Sequence, residues 1–245
     1  MLGKWGIGAD RKTDRESGFT LIELSIVLVL IGLIIGGVLK GQELIRSTRL
    51  KMSISQWDAI KSATNSFQDR FQALPGDYNL SSTMVHTSAT IGDGNGTVGP
   101  GSLTTFAGDS GAGTWGTTAT GEARQFWGHL FYAKLLSGVE ESGTAGSFKL
   151  GAKITNGNFD IIQGTFGGSA AHWLRLQAGT VGVPTANLLS PRDAAEIDRK
   201  YDDSNPASGG VQASGITAAT TCRNDAGTSY TGLDTVGCTL VLELL

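Results

Sequence analysis

Histidine, cysteine and proline are all scarce in this chain, and each shortage excludes something. The three histidines, His86, His129 and His172, stand in no HExxH or comparable spacing, so no zinc-enzyme signature is present. The two cysteines form no CxxC, and no histidine follows them at ligand spacing. Five prolines and a modest 17% of charged residues do not describe a disordered tail. A basic surplus is also lacking: the net charge of -3 argues against a general nucleic-acid binder. There is no P-loop or dinucleotide fingerprint, and no repeat of fixed period.

What the chain has in excess is glycine, 36 of 245 residues, about twice the usual share. Most of it lies beyond residue 90 among Ser, Thr and Ala, which reads as a loop-rich globular region. One such stretch, "GDSGAG" at 108–113, has the form of a serine-protease nucleophile loop. Catalysis would need a histidine base and an orienting acid, and His86 in "MVHTS" lacks that context. A glycine-rich loop is the simpler reading, and a membrane-anchored hydrolase finds no support. The length allows one ordinary domain or two small ones.

The longest apolar run is "FTLIELSIVLVLIGLIIGGVL", residues 19–39, with a single charge at Glu23. About 20 apolar residues suffice to span a bilayer as a helix. A polar leader, "MLGKWGIGADRKTDRESG", comes first and the run follows it without a break, whereas an ordinary secretory signal has a shorter apolar core followed by a small-residue cleavage site. An acid at membrane depth is expensive unless paired and is a functional candidate by default. Gly32, Gly36 and Gly37 interrupt the run. The Gly32-x-x-x-Gly36 spacing suits close helix packing, and equally suits a point where the helix loosens.

The helical period continues past the apolar run. Trp57, Ile60, Thr64, Phe67, Phe71 and Leu74 recur every three or four residues, opposite Gln56, Asp58, Lys61, Asn65 and Asp69. Pro75-Gly76 is the expected stop. Residues 19–73 would then form one helix of about 82 Å. Residues 122–136 predict a second helix, with Phe126, Trp127, Leu130, Phe131 and Leu135 inward, His129 at its edge and Gly138 just past its end. Short β-rich runs follow: "SFKLGAKI", "FDIIQGTF" and "HWLRLQA", the last alternating in period two. Ser190 and Pro191 predict the cap and first turn of a short helix, "PRDAAEIDRKY", and "CTLVLELL" a last strand. Long helix plus antiparallel sheet gives an α+β fold.

Gly18, Phe19, Thr20, Leu21, Ile22 and Glu23 resemble the N-terminal signal of type IV pilins and type II secretion pseudopilins. That signal joins a glycine before the cut, a phenylalanine after it and a glutamate fifth in the mature chain. The resemblance implies cleavage after Gly18 by a prepilin peptidase and methylation of the new Phe19 amine. It implies a leader at 1–18, a transmembrane and filament-core helix at 19–39, its amphipathic continuation at 40–74 and a pilin-like α+β domain at 75–245. In that family the glutamate meets the amine of a neighbouring subunit, so Glu23 and Phe19 are the expected assembly pair. Lys4, Arg11, Lys12 and Arg15 suit a cytoplasmic flank. Lys40, Arg46, Arg49 and Lys51 follow the helix, so orientation rests on the resemblance. "ALPGD", "GDGNG" and "FWGHLFYAKLLSG" are similar to a subset of prepilin-like proteins.

Cys222 and Cys238 read as two unrelated thiols in a cytosolic chain, and as a small closed loop worth roughly 3 kcal/mol in an exported one. The resemblance favours the second, a disulfide pinning the last strand as pilins pin their C-terminal region. Some pseudopilins hold a loop with calcium. Asp93 and Asn95 (with Thr97) in "DGNGT", and Asp202, Asp203 and Asn205 in "DDSN", offer hard oxygen donors, although neither stretch is an EF-hand. Turns rich in Asp, Asn and Gly are the simpler account of both.

The implied protein is a non-enzymatic subunit of a pilus-like or pseudopilus filament. It would wait in the bacterial inner membrane with its globular domain in the periplasm, and later join other pilins in a periplasmic or cell-surface filament. Its partners would be the peptidase, other pilin or pseudopilin subunits and inner-membrane assembly machinery, with no nucleic acid and no obligatory cofactor. The alternative is a minor tip pilin whose Gly/Ser/Thr loops bind a surface. Pilus, secretion and DNA-uptake filaments share the signal.

Overall fold

The computed structural model describes residues 18–99, 121–141, 148–180, 183–215, 221–224 and 227–245. Two compact units are distinguished, Met1–Arg46 and Ser47–Leu245, and one helix runs through their boundary. The elements in order are α1 (Leu21–Phe71), α2 (Ser82–Val85), α3 (Glu122–Tyr132), β1 (Val139–Glu141), β2 (Phe148–Gly151), β3 (Gly157–Phe166), β4 (Ser169–Thr180), β5 (Val183–Ala186), α4 (Pro191–Tyr201), β6 (Val211–Ser214) and β7 (Thr239–Glu243). This is the α+β, pilin-like arrangement expected: a long helix followed by an antiparallel sheet.

The amphipathic stripe of α1 does what its period requires. Leu50, Ser53, Ile54, Ile60, Ala63, Thr64 and Phe67 are buried. They share one core with Phe126, Trp127 and Leu130 of α3 and with Phe159, Ile161, Leu174, Leu176, Leu240 and Leu242 of the sheet. Full burial of a side chain such as Phe67 stabilises by roughly 1.5–3 kcal/mol. The Thr64 hydroxyl is kept in this apolar setting by donating to the Ile60 carbonyl at 2.8 Å. The helix stops before Pro75, because Gln72 takes a left-handed φ of 55° and its N–H closes on Gln68 O.

Helix α3 also ends early. Lys134, not Gly138, adopts the left-handed conformation, with φ 58°. Lys134 N–H donates to Phe131 O and Leu135 N–H to Leu130 O, the two bonds of a Schellman stop. Phe131, expected inward, is 44% exposed, and His129, expected at the edge, is buried. By contrast α4 forms as its caps dictate: Ser190 Oγ accepts from Asp193 N, and Pro191 occupies the first turn.

The sheet runs β1-β2-β3-β4-β7-β6, with β5 also paired to β4, and all pairings are antiparallel. Gly167 and Gly168, both at positive φ, make the two-residue turn between β3 and β4. The C-terminal strand β7 enters between β4 and β6, pairing Leu240 with Leu176 on one side and Ala213 on the other. Alternation along β4 puts Leu174 and Leu176 in the helix-facing core, and Trp173 in a second cluster with Ile162, Phe166 and Val241. On that second face Arg175 and Asp160, directly opposite each other, form a buried ion pair at 3.4 Å, and the Gln177 amide also donates to Asp160.

Cys222 and Cys238 are joined in a disulfide that closes a loop of sequence separation 16. Both sulfur-bearing residues are buried, and Cys238 bridges Leu189 just before β7. The cross-link therefore anchors the entry to a central strand.

Candidate functional site

The first half of α1 is a site defined by exposure. Residues 18–40 are all exposed within the chain, including Leu21, Ile22, Leu28, Val29 and Leu33. Apolar side chains in such a row need lipid or another protein surface. Among the described residues this is the one helix long and apolar enough to cross a membrane. Gly32 and Gly36 lie within unbroken helix, and a Cβ built on either would meet nothing within 4 Å. That face is smooth and open to an outside partner.

Glu23 begins the helix as the second half of a capping box. Its carboxylate accepts from Thr20 N at 2.9 Å and Thr20 Oγ1 at 2.8 Å, while Thr20 Oγ1 accepts from Glu23 N at 3.3 Å. Thr20 and Glu23 thus satisfy donors that a helix start leaves orphaned. The signature of this local partner in the sequence is T-x-x-E. Gly18 precedes the helix outside any regular element, and Phe19 is 83% exposed. The leader cations Lys4, Arg11, Lys12 and Arg15, like "GDSGAG", lie outside the described residues.

The two acidic loops fold as hydrogen-bonded turns. Asp93 accepts from the N–H and side-chain amide of Asn95, whose own oxygen accepts from Thr97 N and Oγ1. Asp203 accepts from Asn205 N and Ser208 Oγ, which hold its carboxyl below the ordinary range. Asp202 accepts from Val211 N at the start of β6. Asp198 accepts from Tyr230 Oη and Ser204 N, although burial pushes its carboxyl up.

The histidines have structural neighbours. His129 Nδ1 accepts from Gly76 N at 2.8 Å, and its Nε2 lies 2.6 Å from Thr90 O, where it donates. His172 Nε2 accepts from Val98 N at 3.1 Å. His86 stacks on Tyr132 with ring centres 4.5 Å apart. Burial lowers the pKa of His129 and of His172. Two residues missed in the sequence complete this region: Asp77 and Glu122 converge on Asp93. Each stands in or beside a motif already noted, "ALPGD" and the start of the "FWGHL" helix.

A model of the prokaryotic N-terminal methylation motif matches residues 13–39. No curated protein and no solved structure matches the chain. The matched segment is a prepilin-type signal, and it leads into a pilin-like fold. The signal supports a protein of the type IV pilin or pseudopilin type in general, with which the exposed apolar helix and the disulfide agree, and it points to a structural role. The signal implies processing by a prepilin peptidase and assembly with other pilins, and the helix fits a membrane anchor.

Proposed function

We propose that this protein is a structural subunit of a type IV pilus-like or type II secretion pseudopilus filament, cut between Gly18 and Phe19 and methylated on Phe19. The observation that carries the reading is the exposed apolar helix, marked at its start by one acid and lying within a prepilin-type methylation motif. Before assembly the helix would sit once through the inner membrane with the globular domain in the periplasm. In the filament it would exchange lipid for neighbouring helices, an exchange that apolar side chains alone make with little selectivity.

Glu23 supplies the selectivity. Removing the leader frees an amine on Phe19, and a carboxylate in an apolar core demands a positive partner. The capping bonds from Thr20 hold Glu23 at the helix start, where it would meet that amine on the adjoining subunit. Glu23→Ala should leave cleavage and membrane insertion unchanged and reduce filament incorporation at least tenfold. Mass spectrometry of the mature N-terminus, with imaging of purified filaments, reads both. Wild-type assembly by the Ala variant, or a mature chain that does not begin at Phe19, would end the proposal. Subunit counting in the same filaments distinguishes a repeating subunit from a sparse adhesive tip pilin.

A further inference from the structure

We infer that Asp77, Asp93 and Glu122 form a calcium site that fastens the 90–98 loop to the segment following α1 and to the first turn of α3. A carboxylate oxygen from each of the three lies within 4.8 Å of the others. Calcium binds oxygen at 2.3–2.6 Å, so two ligands on opposite sides of one ion stand about 4.6–5.2 Å apart. The spacing therefore accepts the ion with the backbone as it is.

An acidic cluster alone would prove nothing, since such groups often share a surface. Asp77 is different because it is only 4% exposed. One of its oxygens accepts from Gly96 N at 3.0 Å, while the other, Oδ1, is buried with no hydrogen-bond partner among the described residues. Leaving a buried carboxylate oxygen unsatisfied beside two more acids is costly. A hard divalent cation removes that cost, and all-oxygen donors select calcium over softer metals.

The surroundings are built to hold the three acids in place. Gly76 adopts φ 93°, and a Cβ there would come within 2.6 Å of the Glu122 carbonyl, so the PGD turn abuts α3 through bare backbone. Gly92 N donates to Tyr78 O and Gly94 N to Asp77 O, which lays the two loops side by side. Asp93 N donates to Glu122 Oε1 at 2.9 Å. Asn95 and Thr97 are positioning residues here: the Asn95 amide steadies Asp93, and its own oxygen is taken up by Thr97. Burial, with help from the charges of Asp93 and Asp77, pushes the Glu122 carboxyl up to about 7. Neither nearby imidazole offers balancing charge at neutral pH, because burial holds His129 and His172 below their ordinary values. Asp93 is exposed and gives the ion a way in.

The test is the melting temperature of the full-length chain in detergent, first in EDTA and then with calcium chloride from 10 μM to 10 mM. Calcium should raise Tm by about 4 °C at saturation, and magnesium chloride at equal ionic strength should give less than half of that. Asp77→Asn and Glu122→Gln should each abolish the calcium shift while melting in EDTA no lower than wild type, since repulsion has been relieved. Asp203→Asn, in the other acidic loop, should keep the full shift. The inference is overturned by no calcium shift in the wild type or an equal magnesium shift. A calcium shift that survives Glu122→Gln, or one lost only in Asp203→Asn, overturns it as well. Should Asp77→Asn fail to fold, Glu122→Gln decides alone, because its side chain is partly exposed and isosteric.

Discussion

Between Leu21 and Leu39 helix α1 buries none of its side chains, whereas between Leu50 and Phe67 it buries seven. Sequence composition explains the contrast: the first stretch is apolar all round, and the second is apolar on one stripe. A helix of the first kind has no preferred face and depends on what surrounds it. A helix of the second kind is held by its own domain. One continuous element therefore carries two sources of stability, an external one for assembly and an internal one for folding.

The sharpest test of that contrast is truncation in each half. Phe67→Ala empties a fully buried site packed against Phe71, Tyr78 and His129, and should cost about 3–5 kcal/mol in denaturant unfolding of the detergent-solubilised chain. Leu30→Ala, at an exposed position in the first half, should change the same transition by less than about 0.5 kcal/mol. Equal losses would mean that the first half is already packed within the monomer, and the comparison would fail.

A smaller effect separates the polar clasp from the apolar core. Glu122 has a folded pKa raised to about 7, so its contribution to stability is complete below its unfolded value of 4.5 and is lost as pH rises through 7. His129 and His172 have folded values lowered from 6.5, so their contribution is complete above 6.5 and is lost as pH falls. Between pH 5 and 6.5 the two trends oppose each other. In calcium-free buffer Glu122→Gln removes the falling limb, and its stability should rise from pH 5 to 6.5 more steeply than the wild type's. Parallel pH profiles for the two proteins would show that the Glu122 carboxyl is not strained by its neighbours.

Legibility in the sequence followed the range of the interaction. The start of α1, the cap of α4 and the alternation of β4 are set by residues within a few positions of one another, and they appear where expected. Strand β6 spans only Val211–Ser214, and four residues are too few for their period-two alternation to stand out. The place of β7 between β4 and β6 depends on partners far away in sequence. Asp77 and Glu122 are hidden in the sequence for the same reason: each looks like an ordinary turn or helix-start acid until the Gly76 turn and His129 bring them together. His129 itself reads as a helix-edge residue, yet its two ring nitrogens tie loops from both sides.

The smallest expected effect tests whether local signals or distant packing set the end of α3. Lys134 holds φ 58°, a conformation that costs a side-chain-bearing residue about 1 kcal/mol and costs glycine almost nothing. The Schellman bonds at this position run through backbone groups, so they survive any side chain. Packing constrains the chain on both sides of Lys134, through the buried Trp127 and Leu130 before it and the entry of Val139 into β1 after it. If that packing dictates the stop, Lys134→Gly relieves the strain without moving the helix end, and thermal unfolding should show a gain of about 0.5–1 kcal/mol. If instead the lysine side chain anchors the turn, the same substitution lowers stability, and the stop at Lys134 belongs to its own residue rather than to the core beneath it.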